Sequence, residues 1–169
     1  MKTHRLILSL LLLICVSLSS AFAGKYYSFK HLSTIDGLSH NQINNIFKDS
    51  DGFLWFSTSG GLNRFDGYQF KIFRHDDNDK YSITDNFTDN IQEDAQGNLW
   101  IHTSSSYILF DRDKEKFYSD MLSYLHIPEG KLPSCPSVVY IDKKKNILLV
   151  QDTKVFLYKP ETGKIVVFY

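Results

Sequence analysis

The sequence predicts an all-β protein made of about three four-stranded antiparallel β-propeller blades, an incomplete propeller, behind a signal peptide. Three observations carry this reading. One motif returns at a spacing of 45 residues and again at 48. Each unit holds short apolar runs punctuated by turn residues. Aromatic residues are plentiful, with 13 Phe and 10 Tyr among 169 residues, and these favour strands over helices. A period near 45 belongs to repeat architectures, and four short strands per unit describe a propeller blade.

The repeat is explicit. Residues 49–67 read DSDGFLWFSTSGGLNRFDG and residues 94–111 read DAQGNLWIHTSSSYILFD. Asp49, Gly52, Leu54, Trp55, Thr58, Phe65 and Asp66 recur as Asp94, Gly97, Leu99, Trp100, Thr103, Phe110 and Asp111, all at an offset of 45. A third copy, DKKKNILLVQDTKVFLY over residues 142–158, lies 48 further on. There Asp142, Ile147 and Tyr158 match Asp94, Leu99 and Phe110, while Leu148 stands for the Trp and Lys145 for the Gly.

Residues 1–23 differ from all that follows. Lys2, His4 and Arg5 precede the apolar run Leu6–Leu18, and Ala21-Phe22-Ala23 forms a small-x-small cleavage pattern. The run is short for a bilayer span, which needs roughly 20 residues, so a cleavable secretory signal and a periplasmic destination are expected. The competing reading is an inner-membrane anchor over residues 6–20. Cleavage would remove Cys15 and leave Cys135 alone, without an internal disulfide. With Pro136 beside it, Cys135 reads as a half-buried structural residue rather than a nucleophile.

Residues 24–42 read as an N-terminal strand (Tyr26–Leu32, YYSFKHL) and a lead-in loop turning at Thr34–Gly37. Residues 43–86 form the first blade. Asp49-Ser-Asp-Gly52 makes a tight turn, since Asp bonds the backbone two residues on and Gly supplies positive φ. The next strand, Phe53–Thr58, is apolar on both alternating faces and must be covered on both sides. The polar run Arg74–Lys80 connects the first blade to the second. Residues 87–136 form the second blade, ending in a long Pro- and Gly-bearing loop from Met121, and residues 137–169 form a degenerate third blade.

Lys plus Arg balances Asp plus Glu at 19 each, which gives no electrostatic case for nucleic acid. No catalytic constellation is evident. Glu93 and Asp94 are adjacent and point to opposite sides of a strand. The six His are scattered without metal-ligand spacing. Asp49, Asp51 and Gly52 invite a calcium reading, but the further oxygen ligands of such a loop are missing and the second Asp does not recur. No metal or cofactor is expected.

The run Asp36-Gly-Leu-Ser-His-Asn-Gln-Ile43, followed by the D-x-x-G-x-L-W-x-x-T core from Asp49 to Thr58, resembles the two-component regulator propeller repeat. The resemblance extends over residues 29–169. It implies a non-catalytic sensory segment from the periplasmic propeller of a Bacteroidetes hybrid two-component sensor, with an oligosaccharide as ligand. It also implies an N-terminal fragment, because members of that family carry more blades, a membrane span and a histidine kinase. Three blades do not close a ring, so self-association through open blade faces is a further expectation, as is pairing with blades or a kinase portion encoded downstream. Two other readings are a fragment of a propeller-type carbohydrate-active hydrolase or lyase, and a secreted interaction scaffold.

Within that frame Trp55 and Trp100 belong to packing between blades rather than to sugar stacking. Asp49, Gly52, Thr58, Asp94, Gly97, Thr103 and Asp142 are structural repeat positions. Asn41 and Asn86, sharing the offset of 45, suggest a repeated hydrogen bond. Ligand contacts are sought where copies differ beside the first strand, at His40, Gln42, Asp85 and Phe87.

Overall fold

A computed structural model describes residue 4 and residues 27–128, 130–132 and 136–168. The expected signal segment therefore lies outside the described residues except for His4, as does Cys135. Among the described residues no helix is long and apolar enough to cross a membrane. Residues 1–31 form one unit and residues 32–169 a second.

Of the strand expected over Tyr26–Leu32, Tyr26 lies outside the described residues and the remainder is not a strand. Residues 27–32 carry no regular structure, and Tyr27 and Phe29 are exposed. Extended backbone becomes a strand only when a neighbouring ladder takes up its N–H and C=O groups. Strand composition alone supplies no such neighbour. Next, Ser33 caps a single 3-10 turn over Thr34–Asp36, closed by Gly37 in the left-handed region.

Three four-stranded antiparallel sheets follow, each in simple sequential order. The first contains β1 (Ile43–Lys48), β2 (Leu54–Thr58), β3 (Gly61–Phe65) and β4 (Phe70–Phe73). The second contains β5 (Thr88–Glu93), β6 (Leu99–Thr103), β7 (Tyr107–Asp111) and β8 (Lys116–Tyr118). The third contains β9 (Val138–Ile141), β10 (Ile147–Gln151), β11 (Lys154–Lys159) and β12 (Lys164–Phe168). Registers repeat as well. Trp55 pairs across with Phe47 and Arg64, Trp100 with Gln92 and Leu109, and Leu148 with Tyr140 and Leu157. In the first two sheets the register shifts one residue inside the first strand, at Ile43/Asn45 and Thr88/Asn90.

The sheets stack face to face, and the stacking is directional. The Trp side of the first (Trp55, Leu62) packs on the opposite side of the second (Ile91, Leu99, Ile101, Ile108, Phe110) in one dry cluster. The Trp side of the second (Trp100, Tyr107, Leu109) packs likewise on Val139, Ile147 and Leu149 of the third. This is why β6 has no polar face, since each of its sides meets a sheet; β2 meets the second sheet on one side and Leu38 on the other. The first strands β1 and β5 lie side by side, as do β5 and β9. These are propeller-type blades.

The long loop after the second blade is more ordered than the sequence suggests. Asp120 caps one helical turn, α1 (Met121–Tyr124). Met121, Leu122, Ile127 and Leu132 are buried in the joint between second and third blades. Three of these side chains precede Pro128 and Leu132 follows Gly130, and all four find a dry site.

Candidate functional site

The repeat Asp does two jobs with its two oxygens. Asp49 Oδ1 accepts the Phe53 N–H at 2.9 Å, closing the turn, and Oδ2 accepts the Trp55 indole N–H at 2.7 Å. Asp94 does the same with the Asn98 N–H at 2.9 Å and the Trp100 indole at 3.0 Å. Both carboxylates are buried, at 4% and 2% exposure, so each needs such partners. In the third copy Asp142 still accepts the Asn146 N–H at 2.9 Å, and the Asn146 amide, at 2.8 Å, bonds the oxygen the indole would take. The turn needs one left-handed residue, supplied by Gly52 (φ 94°), Gly97 (φ 82°) and Lys145 (φ 62°). Lys145 donates to the Glu93 carbonyl at 2.9 Å, a contact glycine could not make.

Thr58 and Thr103 close the following hairpins. The Thr58 hydroxyl donates to the Gly61 carbonyl at 2.7 Å and the Thr103 hydroxyl to the Ser106 carbonyl at 2.8 Å. Asn41 accepts the Thr34 N–H at 3.0 Å and Asn86 the His75 N–H at 2.9 Å, each tying down the chain that leads into its blade.

Beside the first repeat turn, Arg112 of the second blade bridges to the first. Its Nη1 lies 3.0 Å from Glu93 Oε1 and 3.3 Å from carboxylate oxygens of both Asp49 and Asp51. Its Nη2 donates to Ser50 Oγ at 3.1 Å, and that hydroxyl donates to Glu93 at 2.6 Å. A Cβ on Gly97 would run into this guanidinium. The sequence reading missed Arg112 because its equivalent in the first blade, by the offset of 45, is Gly67. Glu93 and Asp94 do serve separate sites: Glu93 joins Arg112, whereas Asp94 holds Trp100.

His40, Gln42, Asp85 and Phe87 lie at the other end of the blades, just before β1 and β5. His40 is exposed and its Nδ1 accepts the Gln42 N–H at 3.0 Å. Asp85 accepts the Phe87 N–H at 3.0 Å and the Ser104 hydroxyl. Among the described residues no hydrogen bond joins the first pair to the second. Each pair closes its own local turn, and these contacts converge on no shared point.

At the repeat-turn end lies a cleft of about 630 Å³ between second and third blades. Asn98, Asp111, Lys114, Tyr118, Tyr124 and Tyr158 line it. The Tyr124 hydroxyl donates to Asp111 Oδ2 at 2.8 Å, and Lys114 Nζ donates to the same oxygen at 2.7 Å. Burial pushes the Asp111 carboxyl up, but the Lys114 and Tyr124 hydrogen bonds outweigh it, and the group titrates below its ordinary value. Burial first, and the bond to Asp111 second, push the Tyr124 phenol well up. The cleft thus offers an anionic carboxylate, a cationic amine and three aromatic edges. Such walls suit a neutral polyhydroxylated ligand, with hydrogen bonds at hydroxyls and apolar ring faces against tyrosines. Sequence reading overlooked it because its lining comes from four separate turns and α1.

The geometry defines a class: a tandem array of propeller-type blades held by buried Asp–Trp pairs. Residues 37–60 and 82–105 match the family described as Two component regulator propeller. Those segments span β1 with β2 and β5 with β6, so the two matched repeats fall on the first two blades. It is 37% identical over 78 residues to Histidine kinase P4 of Formosa agariphila, covering 46% of this chain and 6% of that protein. The chain therefore spans a small part of that relative's length. Among solved structures, the extracellular domain of a hybrid two component system of B. thetaiotaomicron matches with TM-score 0.43 and 18% identity, over 83% of this chain and 26% of that one. Virginiamycin B lyase from Staphylococcus aureus matches with TM-score 0.44 and 18% identity, over 73% of this chain and 39% of that one.

Proposed function

We propose that this chain is an extracytoplasmic, non-catalytic sensory propeller segment of a two-component system, recognising a glycan-derived ligand. The observation that carries the reading is the family match at two places one repeat apart, each on the first two strands of a blade. The apolar run Leu6–Leu18 and the small residues after it support export to the periplasm. Further blades and a kinase portion are the partners such a segment works with. Signalling then uses a ligand whose affinity differs between two arrangements of the blades, since equal affinity would shift nothing. The cleft at Asp111, Tyr124 and Tyr158 is the favoured ligand position, and His40, Gln42, Asp85 and Phe87 are a second.

The test is calorimetric titration of the full chain with neutral oligosaccharides, run beside Tyr158→Ala and His40→Ala variants. Saturable binding weakened at one of these positions supports the reading. Depolymerisation of the same sugars by the chain, or binding indifferent to both variants, would overturn it.

A further inference from the structure

One repeat builds both joints between blades, yet the two are closed by different means. In the first joint the turn between β7 and β8 reaches across to the first blade. Arg112 lies 3.3 Å from carboxylate oxygens of Asp49 and Asp51 and donates to the Ser50 hydroxyl. Glu115 pairs with Arg64 at 3.0 Å and with Lys71. Beneath them Phe110 meets Phe73, ring centroids 5.2 Å apart, in the dry cluster around Trp55. The turn between β11 and β12 has the same length, and the offset of 48 puts Pro160 at the place of Arg112, Gly163 at that of Glu115 and Tyr158 at that of Phe110. Neither Pro160 nor Gly163 can make an ion pair, so both ties are missing from the second joint. The ring pair parts with them. Tyr118, at the place of Phe73, lies against Tyr81 and Tyr124 at 5.7 and 4.7 Å, and among the described residues no ring contact joins it to Tyr158. Both tyrosines line the cleft instead.

The inner strands of the second joint stay tied. The Gln92 side chain donates to the Val139 carbonyl and accepts the Ile141 N–H, both at 2.7 Å, and Lys145 donates to the Glu93 carbonyl at 2.9 Å. A joint held along its inner strands and untied along its outer ones is a hinge. We propose that a sugar in the cleft clamps this hinge, doing for the second and third blades what Arg112 and Glu115 do for the first and second. The proposal rests on the cleft as the ligand position and adds what occupancy changes. One wall belongs to the second blade, through Asp111 and Tyr118, with Tyr124 bonded to Asp111; the other belongs to the third, through Tyr158 and Pro160. A ligand touching both walls binds the closed joint better than the parted one, and that difference is what shifts the equilibrium. The first joint carries its own ties and does not respond.

The chain holds two tryptophans, one in each joint, and each indole N–H donates to a buried carboxylate. Exchange of that proton with solvent therefore requires its joint to part. Hydrogen exchange of the two indoles, followed by NMR on the full chain, tests the clamp, with short oligosaccharides of glucose, mannose and galactose as probes and calorimetry to register binding. Without sugar, the Trp100 indole should exchange at least about tenfold faster than that of Trp55. A saturating sugar slows Trp100 and leaves Trp55 as it was. Pro160→Arg combined with Gln96→Asp gives the second joint the pair that Arg112 and Asp51 make in the first, and slows Trp100 without sugar. Equal rates in the sugar-free chain, or a folded double variant with Trp100 unchanged, overturn the clamp with no sugar involved. Binding that leaves Trp100 unchanged, or slows both indoles alike, overturns the clamp and leaves the ligand position standing. A chain that binds none of the probes overturns the ligand position, and the clamp with it. The parent's own two rates need no variant, so the test survives a double variant that fails to fold.

Discussion

The indole N–H of Trp55 donates to Asp49 Oδ2 at 2.7 Å from six residues away, and both side chains are buried. The carboxylate thereby fixes which way the largest side chain of the blade lies against the next blade. Trp55→Phe keeps the ring contacts with Phe73 and Phe110 but removes the donor. The expected cost is about 1–3 kcal/mol, that of leaving a buried acceptor short of a partner. Urea denaturation of Trp55→Phe, Asp49→Asn and the double variant checks it: the double change should cost clearly less than the sum of the singles.

Arg112 holds three carboxylates across the first joint. Arg112→Met leaves Asp49 without a cation and Glu93 with Lys145 Nζ at 3.7 Å, and should destabilise by about 3–5 kcal/mol, the cost of breaking a buried pair from one side. Glu93→Gln in that background should recover part of the loss in the same denaturation experiment.

Gly52 and Gly97 occupy equivalent turns with positive φ, yet a Cβ at Gly52 meets nothing whereas one at Gly97 meets the Arg112 guanidinium. Gly97→Ala should therefore lower the melting temperature more than Gly52→Ala. In an Arg112→Met background the difference should shrink, which calorimetry reads directly.

Asp111 titrates below its ordinary value of 3.8 in the folded chain. A depressed carboxylate contributes stability that is complete above the unfolded value and lost as pH falls through the folded one. Acid denaturation should therefore show an Asp111 contribution vanishing below about pH 4. Asp111→Asn should flatten that part of the stability–pH curve, with no change in its slope near neutrality.

His75 makes two ring contacts, Nδ1 with the Ile83 carbonyl at 2.8 Å and Nε2 with Asp77 at 2.9 Å. The Ile83 carbonyl first, then Asp77, raise its titration above the ordinary 6.5. The protonated ring donates at both nitrogens, so its tie to the connection between blades is strongest at low pH and weakens as pH rises through the raised value. NMR titration should place the midpoint above 6.5, and Asp77→Asn should bring it down.

Most of the fold was legible because it is said more than once. Residues recurring at one offset marked the turns and second strands, and the doubly apolar run through Trp55 announced a strand covered on both sides, by the second blade on one and by Leu38 and its neighbours on the other. Features stated only once were opaque. Arg112 has no counterpart in the first blade, so nothing distinguished it from any surface arginine. Met121, Leu122, Ile127 and Leu132 sit among prolines and glycines, where apolar periodicity is too short to register. The strand expected over residues 26–32 failed for the converse reason, since aromatic content measures fitness for a ladder without providing one. The cleft draws one or two residues from each of several turns, and no spacing along a chain encodes that convergence.

Because one oxygen of the repeat carboxylate shapes the turn and only the other reaches the ring, a copy can lose its tryptophan and still bend correctly, as the bonds from Asn146 to Asp142 demonstrate. In the third copy the ring is gone and the bend is kept, with Lys145 in place of the glycine. Worn copies in any longer relative are better sought by an aspartate with an asparagine four places on than by the aromatic that made the pattern conspicuous.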